Sequence, residues 1–527
     1  GWQEREIECG AGTRYRFRLD DTCFPDPASR MQETDVHDWS VVGGPPTYAW
    51  RCKDWRGRPW EEAVIYEVHP GLLGGFAGIR EHLARLRDLG ITAIELMPIA
   101  DFPGARNWGY DGVLPFAPDR AYGTPDELKT LIDDAHEYGL MVFLDVVYNH
   151  FGPDGNYLGL YASQFFDPAK HTPWGAAINF SEPEVQRFFL ENAIYWLAEY
   201  RFDGLRFDAV HAILDKAFLQ NLAADIRSNI GNERHIHLIL ENDDNNADLL
   251  RAGFDAQWND DLHHVLHVLL TGETRGYYQD YAQNSAVKLA RGLEEGFVYQ
   301  GEASPFREGH PRGSRTEGLK PTAFVSFLQN HDQIGNRAFG ERLTLLTNPD
   351  VLTAAIALLL LSPQIPLIFM GEEAGSREPF LYFTDYRNAR LAETVRSGRR
   401  QEFAKFPEFA DERRRAAIPD PNAPESFARS RPQFEENDWT KLYTRLLTLR
   451  RDRIVPLLAR IVPEDGQVLG DAAVLARWRT EAKQLTIACN LGHDPVAATL
   501  PDAAPIWGAS TERVLSPATT LAWIESQ

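Results

Sequence analysis

The stretch GLRFDAVH, residues 204–211, sets two charged side chains inside an otherwise apolar strand. A strand turns successive side chains to opposite faces, so Arg206 and Asp208 share one face while Leu205, Phe207 and Ala209 share the other. Burying a charged pair is costly unless each member is satisfied. Such a pair either ties a strand end to its neighbour or is kept for chemistry, and the stretch alone leaves both readings open.

Working outward, seven further short runs read as strands: AVIYEVH (63–69), ITAIELMP (91–98), LMVFLDVVYNH (140–150), HIHLILEN (235–242), DAQWN (255–259), TAFVSFLQNH (322–331) and PLIFMG (366–371). Helical patterns follow most of them, one around Ile79–Leu89 and another starting near Pro125. LMVFLDVVYNH leads instead into an irregular excursion, about 150–180, rich in Gly, Pro and aromatic residues. Near-continuously apolar strands that alternate with helices predict a parallel sheet buried on both faces. Eight of them predict an α/β fold, a (β/α)8 TIM barrel. The alternative, an open doubly wound sheet, calls for a phosphate-binding glycine loop. The chain has neither G-x-G-x-x-G nor a Gly-Lys pair.

The flanks read differently. Residues 1–52, with TRYRFRLDD (13–21) and scattered Gly and Pro, suit antiparallel strands. The barrel then spans 53–455, its end marked by a helix around DWTKLYTRLLTLRR (438–451). Strand alternation in AVLARWR (473–479) and QLTIACNL (484–491) predicts a small C-terminal all-β domain over 456–527. The longest apolar run, VLTAAIALLLLSPQIPLIFMG (351–371), is broken by Pro363, Gln364 and Pro366, and reads as a core helix followed by a buried strand.

Composition narrows the partners. Against 54 Lys and Arg stand 76 Asp and Glu, a formal charge of −22, which argues against nucleic acid and anionic membranes. A neutral, hydroxyl-rich ligand meets no such repulsion, and thirteen Trp and eighteen Tyr supply flat faces for stacking. Cys9, Cys23, Cys52 and Cys489 show no metal-ligand spacing and read as free thiols, with a Cys9–Cys23 bridge as the alternative. The opening GWQEREIECG lacks a signal-peptide run, so the expected location is cytoplasmic.

In a barrel of this kind chemistry gathers at the C-terminal ends of the strands. Here strand after strand ends in charge or imidazole: Asp145 and His150, Arg206 and Asp208, Glu241 with Asp243, His331 with Asp332. Each alone suits a cap or a turn; together they point to a site. Carboxylates on facing strands with an arginine beside one of them suit glycosidic bond cleavage, one attacking the anomeric carbon and another protonating the departing oxygen. Asp208 has Arg206 on its own face to keep it ionised, whereas Glu241 ends the apolar run LIL, which favours the protonated form. Asp208 is therefore the better nucleophile and Glu241 the better acid, with Asp332 placed to hold ring hydroxyls and favour the charged transition state. His263 and His267 in DDLHHVLHVLL (260–270) have i, i+4 spacing, yet no Glu-x-x-His completes a metal set; polar lining or packing is the reading, and no metal is expected.

Four motifs in order, DVVYNH, GLRFDAVH, ILEND and FLQNHDQIGN, resemble the signature regions of the α-amylase superfamily of retaining glycosidases. MPIADFPGARNWGYDGV, HTPWGAAINF, DAQWNDDLHH, FLQNHDQIGNRAFGERL, FTDY and PNAPESFARSRPQF are similar, within it, to the maltooligosyltrehalose trehalohydrolase family over roughly residues 50–455. The resemblance implies Asp208 as nucleophile, Glu241 as general acid/base and Asp332 as transition-state stabiliser. It implies sugar contacts from Arg206, His150, His331 and the aromatic platform Tyr110. Trp108, Asp111, His211, Asn242, Asp243, Asn330 and Gln333, in the same motifs, are further substrate-binding candidates. It also implies cleavage of the α-1,4 bond next to the trehalose end of maltooligosyltrehalose, no cofactor, maltodextrins as related ligands and maltooligosyltrehalose synthase as functional partner. Some amylases hold calcium through the residue matching Asn149, and nothing in this sequence requires it. The chain departs from the family in HPGLLGGFAGI (69–79), where a longer loop is usual, and in its short N-terminal flank: the resemblance implies an N-terminal β-sandwich, an accessory carbohydrate-binding-like domain, of which residues 1–52 are only a partial one. The rival readings are a glycogen branching enzyme, a general α-amylase-type glucan hydrolase, and a noncatalytic glucan-binding protein. The last is expected to lack at least one of the three carboxylates, and all three are here.

Overall fold

The structure is a computed structural model, and it describes residues 5–44, 48–172, 175–509 and 513–526. Pro173 and Trp174 of HTPWGAAINF and the first four residues of GWQEREIECG lie outside them.

Eight strands close a barrel in strict chain order: β1 (Ile65–Val68), β2 (Ala93–Leu96), β3 (Met141–Val146), β4 (Gly204–Phe207), β5 (His237–Leu240), β6 (Ala256–Trp258), β7 (Phe324–Ser326) and β8 (Ile365–Phe369). Every pairing is parallel, from β1 with β2 around to β8 with β1. All eight predicted runs thus become barrel strands. Period-two alternation divides their side chains between two cores. Ile65, Ala93, Met141, Phe143, Ile239, Ala256, Trp258, Val325, Ile365 and Leu367 fill the barrel interior. Leu205, Phe207, Leu238 and Leu240 point outward into the layer shared with the helices. Gly204 begins β4 because the interior has no room for more: a Cβ there would stand 2.6 Å from the His237 carbonyl oxygen and 2.9 Å from the Phe143 ring.

The helices form where the pattern and the caps agree. The helix Pro125–Glu137 starts with Pro at its first position, and Thr124 and Glu127 cap each other reciprocally at 3.2 and 2.7 Å. HPGLLGGFAGI folds into a 3-10 turn (Pro70–Leu73) running directly into the helix Gly75–Leu89. The turn needs left-handed backbone at Gly74 and Gly75, and a Cβ on Gly75 would meet the Tyr122 carbonyl oxygen at 2.4 Å. The long apolar run 351–371 is the buried helix Pro349–Leu361 followed by β8, and no helix of the described residues is long and apolar enough to cross a membrane.

The excursion after β3 carries a one-turn helix, Leu158–Tyr161, and an antiparallel hairpin of Phe166–Thr172 with Gly175–Ile178. The N-terminal flank, read as a partial sandwich, shows two small antiparallel ladders, Arg14–Tyr15 with Ser40–Val41 and Phe17–Leu19 with Thr22–Phe24. It docks on the excursion through Phe24 stacked on Tyr161 (4.5 Å between centroids) and His37 hydrogen-bonded to the Tyr157 hydroxyl at 2.7 Å. At the other end β9 (Val462–Gly470), β10 (Ala473–Arg479), β11 (Lys483–Asn490) and β12 (Thr519–Ser526) form a four-stranded antiparallel sheet in the order β9-β10-β11-β12. The Thr520 hydroxyl donates to the Ala354 carbonyl at 2.7 Å and so ties this sheet to the helix Pro349–Leu361.

Candidate active site

At the C-terminal end of the barrel the inner face turns from apolar to ionic, and Arg206 stands at its centre. The side chain is completely buried, with its guanidinium 4.2 Å above the Trp258 ring. One of its terminal nitrogens donates to Asp145 Oδ2 at 2.6 Å and Asp208 Oδ1 at 2.8 Å; the other lies 2.9 Å from Glu241 Oε2. A single fork therefore holds carboxylates from three adjacent strands, β3, β4 and β5. The charged pair on β4 is thus no isolated tie, because Arg206 holds three carboxylates at once.

The other oxygen of Asp208 accepts from Asn149 Nδ2 at 2.7 Å, so the carboxylate is fixed from both sides. Residue 209, immediately after it, is in left-handed backbone (φ 40°), unusual for Ala, and this strained turn aims Ala209 N–H at Glu241 Oε2, 2.8 Å away. Burial pushes the pKa of Glu241 up; Arg206 pulls it down and the Asp208 charge pushes it up again. Burial likewise raises Asp332, against the opposing pull of His331. Asp145 is lifted by burial to about 7, with Arg206 opposing.

The opposite wall is a chain of hydrogen bonds through Tyr110. Its hydroxyl donates to Asp145 Oδ2 at 2.6 Å and lies 2.8 Å from His331 Nε2, and its ring is stacked on that imidazole at 5.1 Å. His331 is paired through Nδ1 with Glu67, whose Oε2 also accepts the His331 backbone N–H at 3.1 Å. Burial alone would lower this imidazole's pKa, and the charges of Glu67 and Asp332, with the hydrogen bond to Glu67, together more than reverse that, raising it to about 9. His150, lowered to about 4 by burial, contacts the Tyr110 carbonyl through Nε2 at 3.0 Å.

The Glu67–His331 pair makes stability depend on pH. A histidine raised from its unfolded value near 6.5 to about 9 contributes stability that is fully present below pH ~6.5 and is lost as pH rises through about 9. Glu67→Gln removes the partner charge. Its melting temperature is expected to fall relative to the parent at pH 6 and to converge on it near pH 9.5; an equal deficit at both pH values would mean that the pair is not ionised.

The predicted residues divide by placement. Asp145, Arg206, Asp208, Glu241, His331, Tyr110 and His150 form one connected cluster, and Asp332 joins it at 3.6 Å from His331 Nε2. Asp111 lies beside the cluster, accepting from Tyr386 (2.5 Å) and Asn107 (2.6 Å). Gln333 Nε2 reaches Asp260 at 3.2 Å, His211 Nδ1 accepts from the Asp243 backbone at 3.3 Å, and Asp243 is exposed and ion-paired with Arg307 and Arg312. Trp108, Asn242 and Asn330 are buried: Trp108 Nε1 donates to the Leu381 carbonyl, Asn242 caps the backbone of Asp244 and Asn330 caps that of Gln333. His263 and His267 lie away from the cluster, Nδ1 of His263 on the Leu328 carbonyl (2.8 Å) and Nε2 of His267 on Glu273 (2.8 Å). Among the described residues no group of three or more His, Cys, Asp or Glu is arranged to hold a metal.

Sequence reasoning missed Glu67 and Glu95. They are register partners on β1 and β2, both buried, facing the same interior as Asp145. Burial, then the charges of Glu67 and Asp145, push the Glu95 pKa well above its ordinary value. The available signal was a glutamate at matching depth inside two apolar runs, EVH and IELMP. Tyr386 and Asp260, also overlooked, lie in FTDY and in DAQWNDDLHH.

Comparison with known proteins agrees with this geometry. The family model of the α-amylase catalytic domain matches residues 28–171, and a model described as a domain of unknown function, DUF3459, matches residues 464–522. The chain is 39% identical to the malto-oligosyltrehalose trehalohydrolase of Deinococcus radiodurans, over 94% of this chain and 83% of that one. It is 43% identical to the enzyme of the same name from Saccharolobus solfataricus, over 74% and 71%. A 1.4 Å crystal structure of a Salmonella typhimurium protein assigned to the α-amylases superposes with a TM-score of 0.92 at 43% identity, covering 98% of this chain and 91% of that one. With the closed barrel, the antiparallel C-terminal sheet and relatives of this similarity over nearly its whole length, the chain belongs to the malto-oligosyltrehalose trehalohydrolase family of α-amylase-type glycoside hydrolases.

Proposed function

We propose that this protein cleaves the α-1,4-glucosidic bond next to the trehalose end of maltooligosyltrehalose and releases trehalose with retention of configuration. The observation that carries the reading is the single buried guanidinium of Arg206 that holds both Asp208 and Glu241. It keeps the two carboxyls close, as the ~5 Å separation of a double displacement requires. Asp208, fixed by Arg206 and Asn149, attacks the anomeric carbon. Glu241, raised by burial, protonates the leaving oxygen and then, as its conjugate base, activates water against the glycosyl-enzyme. Asp332, His331 and His150 bind the ring hydroxyls of the distorted sugar while Tyr110 stacks beneath it, with Asp111 beside it. His211, Asp243 and Gln333 extend the binding surface, and Trp108, Asn242 and Asn330 brace it from behind. A branching enzyme shares the carboxylates but passes the glucan to another sugar; family membership favours water as acceptor here. The enzyme that builds trehalose onto a maltodextrin end, maltooligosyltrehalose synthase, is then the functional partner. The free thiols of Cys9, Cys23, Cys52 and Cys489 support the cytoplasm as its compartment.

The test is product analysis on maltotriosyltrehalose and, separately, maltopentaose. Fast release of free trehalose from the first with little cutting of the second is the expected result. Comparable cutting of both would reassign the chain to general glucan hydrolysis, and longer branched products would reassign it to transfer.

A further inference from the structure

Two adjacent aspartates open the helix Asp260–Thr271 after β6, and the structure uses them in opposite ways. Asp261 is completely buried and fully committed. Its Oδ2 accepts from Asn245 Nδ2 (2.9 Å) and from the backbone N–H groups of Val298 (2.7 Å) and Tyr299 (3.0 Å), while its Oδ1 accepts from Arg312 (2.7 Å) and from Tyr281. Asp260, one residue earlier, is only half-buried. It makes one side-chain contact, Oδ1 with Gln333 Nε2 at 3.2 Å, and Oδ2 has no protein partner among the described residues. The helix is already capped by Asn259, so Asp260 is not needed for that.

Its surroundings place it. It follows the C-terminal end of β6, between the strand end that leads to Glu241 and the one that leads to Asp332, and its contact Gln333 directly follows Asp332 in the chain. The other wall of the cluster, Tyr110, His331 and Asp111 with Tyr386, lies across Asp145 and Arg206. A general acid stands beside the oxygen it protonates, so β6, which lies beyond the Glu241 strand from the Asp208 strand, is on the side of the departing sugar. A carboxylate with a free oxygen there suits two vicinal hydroxyls of a glucose ring.

The geometry points to Asp260 as a specificity-determining residue that hydrogen-bonds the hydroxyls of the departing disaccharide, in contrast to its neighbour Asp261, which only braces the rim. The inference rests on the proposed trehalose-releasing reaction and names the residue that reads its leaving group. The three carboxylates do the bond chemistry; Asp260 decides which leaving group is held for protonation.

The experiment compares the parent with Asp260→Ala and Asp260→Asn on two substrates that share a glucan and differ in the leaving group: maltotriosyltrehalose and α-maltotriosyl fluoride. Loss of a hydrogen-bonded carboxylate is expected to lower kcat/KM for maltotriosyltrehalose about 30-fold in Asp260→Ala, with a smaller loss in Asp260→Asn, while the fluoride stays within about threefold of the parent. Normal turnover of the fluoride also reports a folded site. Equal losses on both substrates would mean that Asp260 acts through Glu241 or Asp332, and no loss on either would mean that it touches no substrate; both overturn the assignment. A parent enzyme that hydrolyses the fluoride but releases no trehalose would overturn the assignment together with the reaction it rests on, and that failure shows in the parent before any variant is made.

Discussion

Asp208→Asn is expected to lose about ten-thousandfold or more in kcat on maltotriosyltrehalose, while still binding maltodextrin. The amide is nearly isosteric. It can keep a contact with Asn149, now 2.7 Å from Oδ2, and leaves Arg206 its salt bridges to Asp145 and Glu241. What it removes is the negative oxygen that attacks the anomeric carbon. Binding is read by calorimetry with maltotetraose, turnover by trehalose release. Turnover near that of the parent in a sequence-verified variant would take Asp208 out of the nucleophile's role; loss of both binding and thermal stability would show that its contribution is to the fold.

The second large effect concerns Glu241. Glu241→Gln is expected to fall roughly a thousandfold on maltotriosyltrehalose, within the hundred- to ten-thousandfold that general acid catalysis supplies, but far less on α-maltotriosyl fluoride, whose leaving group needs no proton. The glutamine also cannot titrate. Because burial raises the Glu241 pKa, the parent's activity declines on the alkaline side as Glu241 loses its proton, and that limb is expected to vanish in the variant. Equal losses on both substrates with an unchanged pH profile would show that another group is the acid.

Much of this site is legible in the amino-acid sequence. The eight apolar runs mark strands because parallel strands covered on both faces must be apolar almost throughout, and their charged exceptions fall where the barrel opens. Arg206 and Asp208 stand out for that reason, and period two correctly puts them on one face. What the sequence does not show is depth. Glu67 and Glu95 lie within runs, not at their ends, and only the pairing of β1 with β2 places their carboxyls side by side under His331. Nor does it separate Asp260 from Asp261: the two have the same chemistry, and the partners that consume Asp261 come from residues 245, 281, 298, 299 and 312. Trp108, Asn242 and Asn330 sit in the right motifs, yet their polar groups face the protein. A motif fixes proximity to a site; the direction of a side chain depends on contacts distant in the chain. The N-terminal flank is hardest to read, since its strands are two or three residues long and its anchors, Tyr157 and Tyr161, belong to the excursion.

The most direct test of the Arg206-centred site is to trap the covalent intermediate. A maltosyl fluoride bearing an additional ring fluorine, which slows deglycosylation, is incubated with the protein, and the peptides are sequenced by mass spectrometry. A single glycosyl adduct on Asp208, absent from Asp208→Asn, is the predicted result. An adduct on Glu241 or Asp332, or product of inverted configuration with no adduct at all, would contradict it.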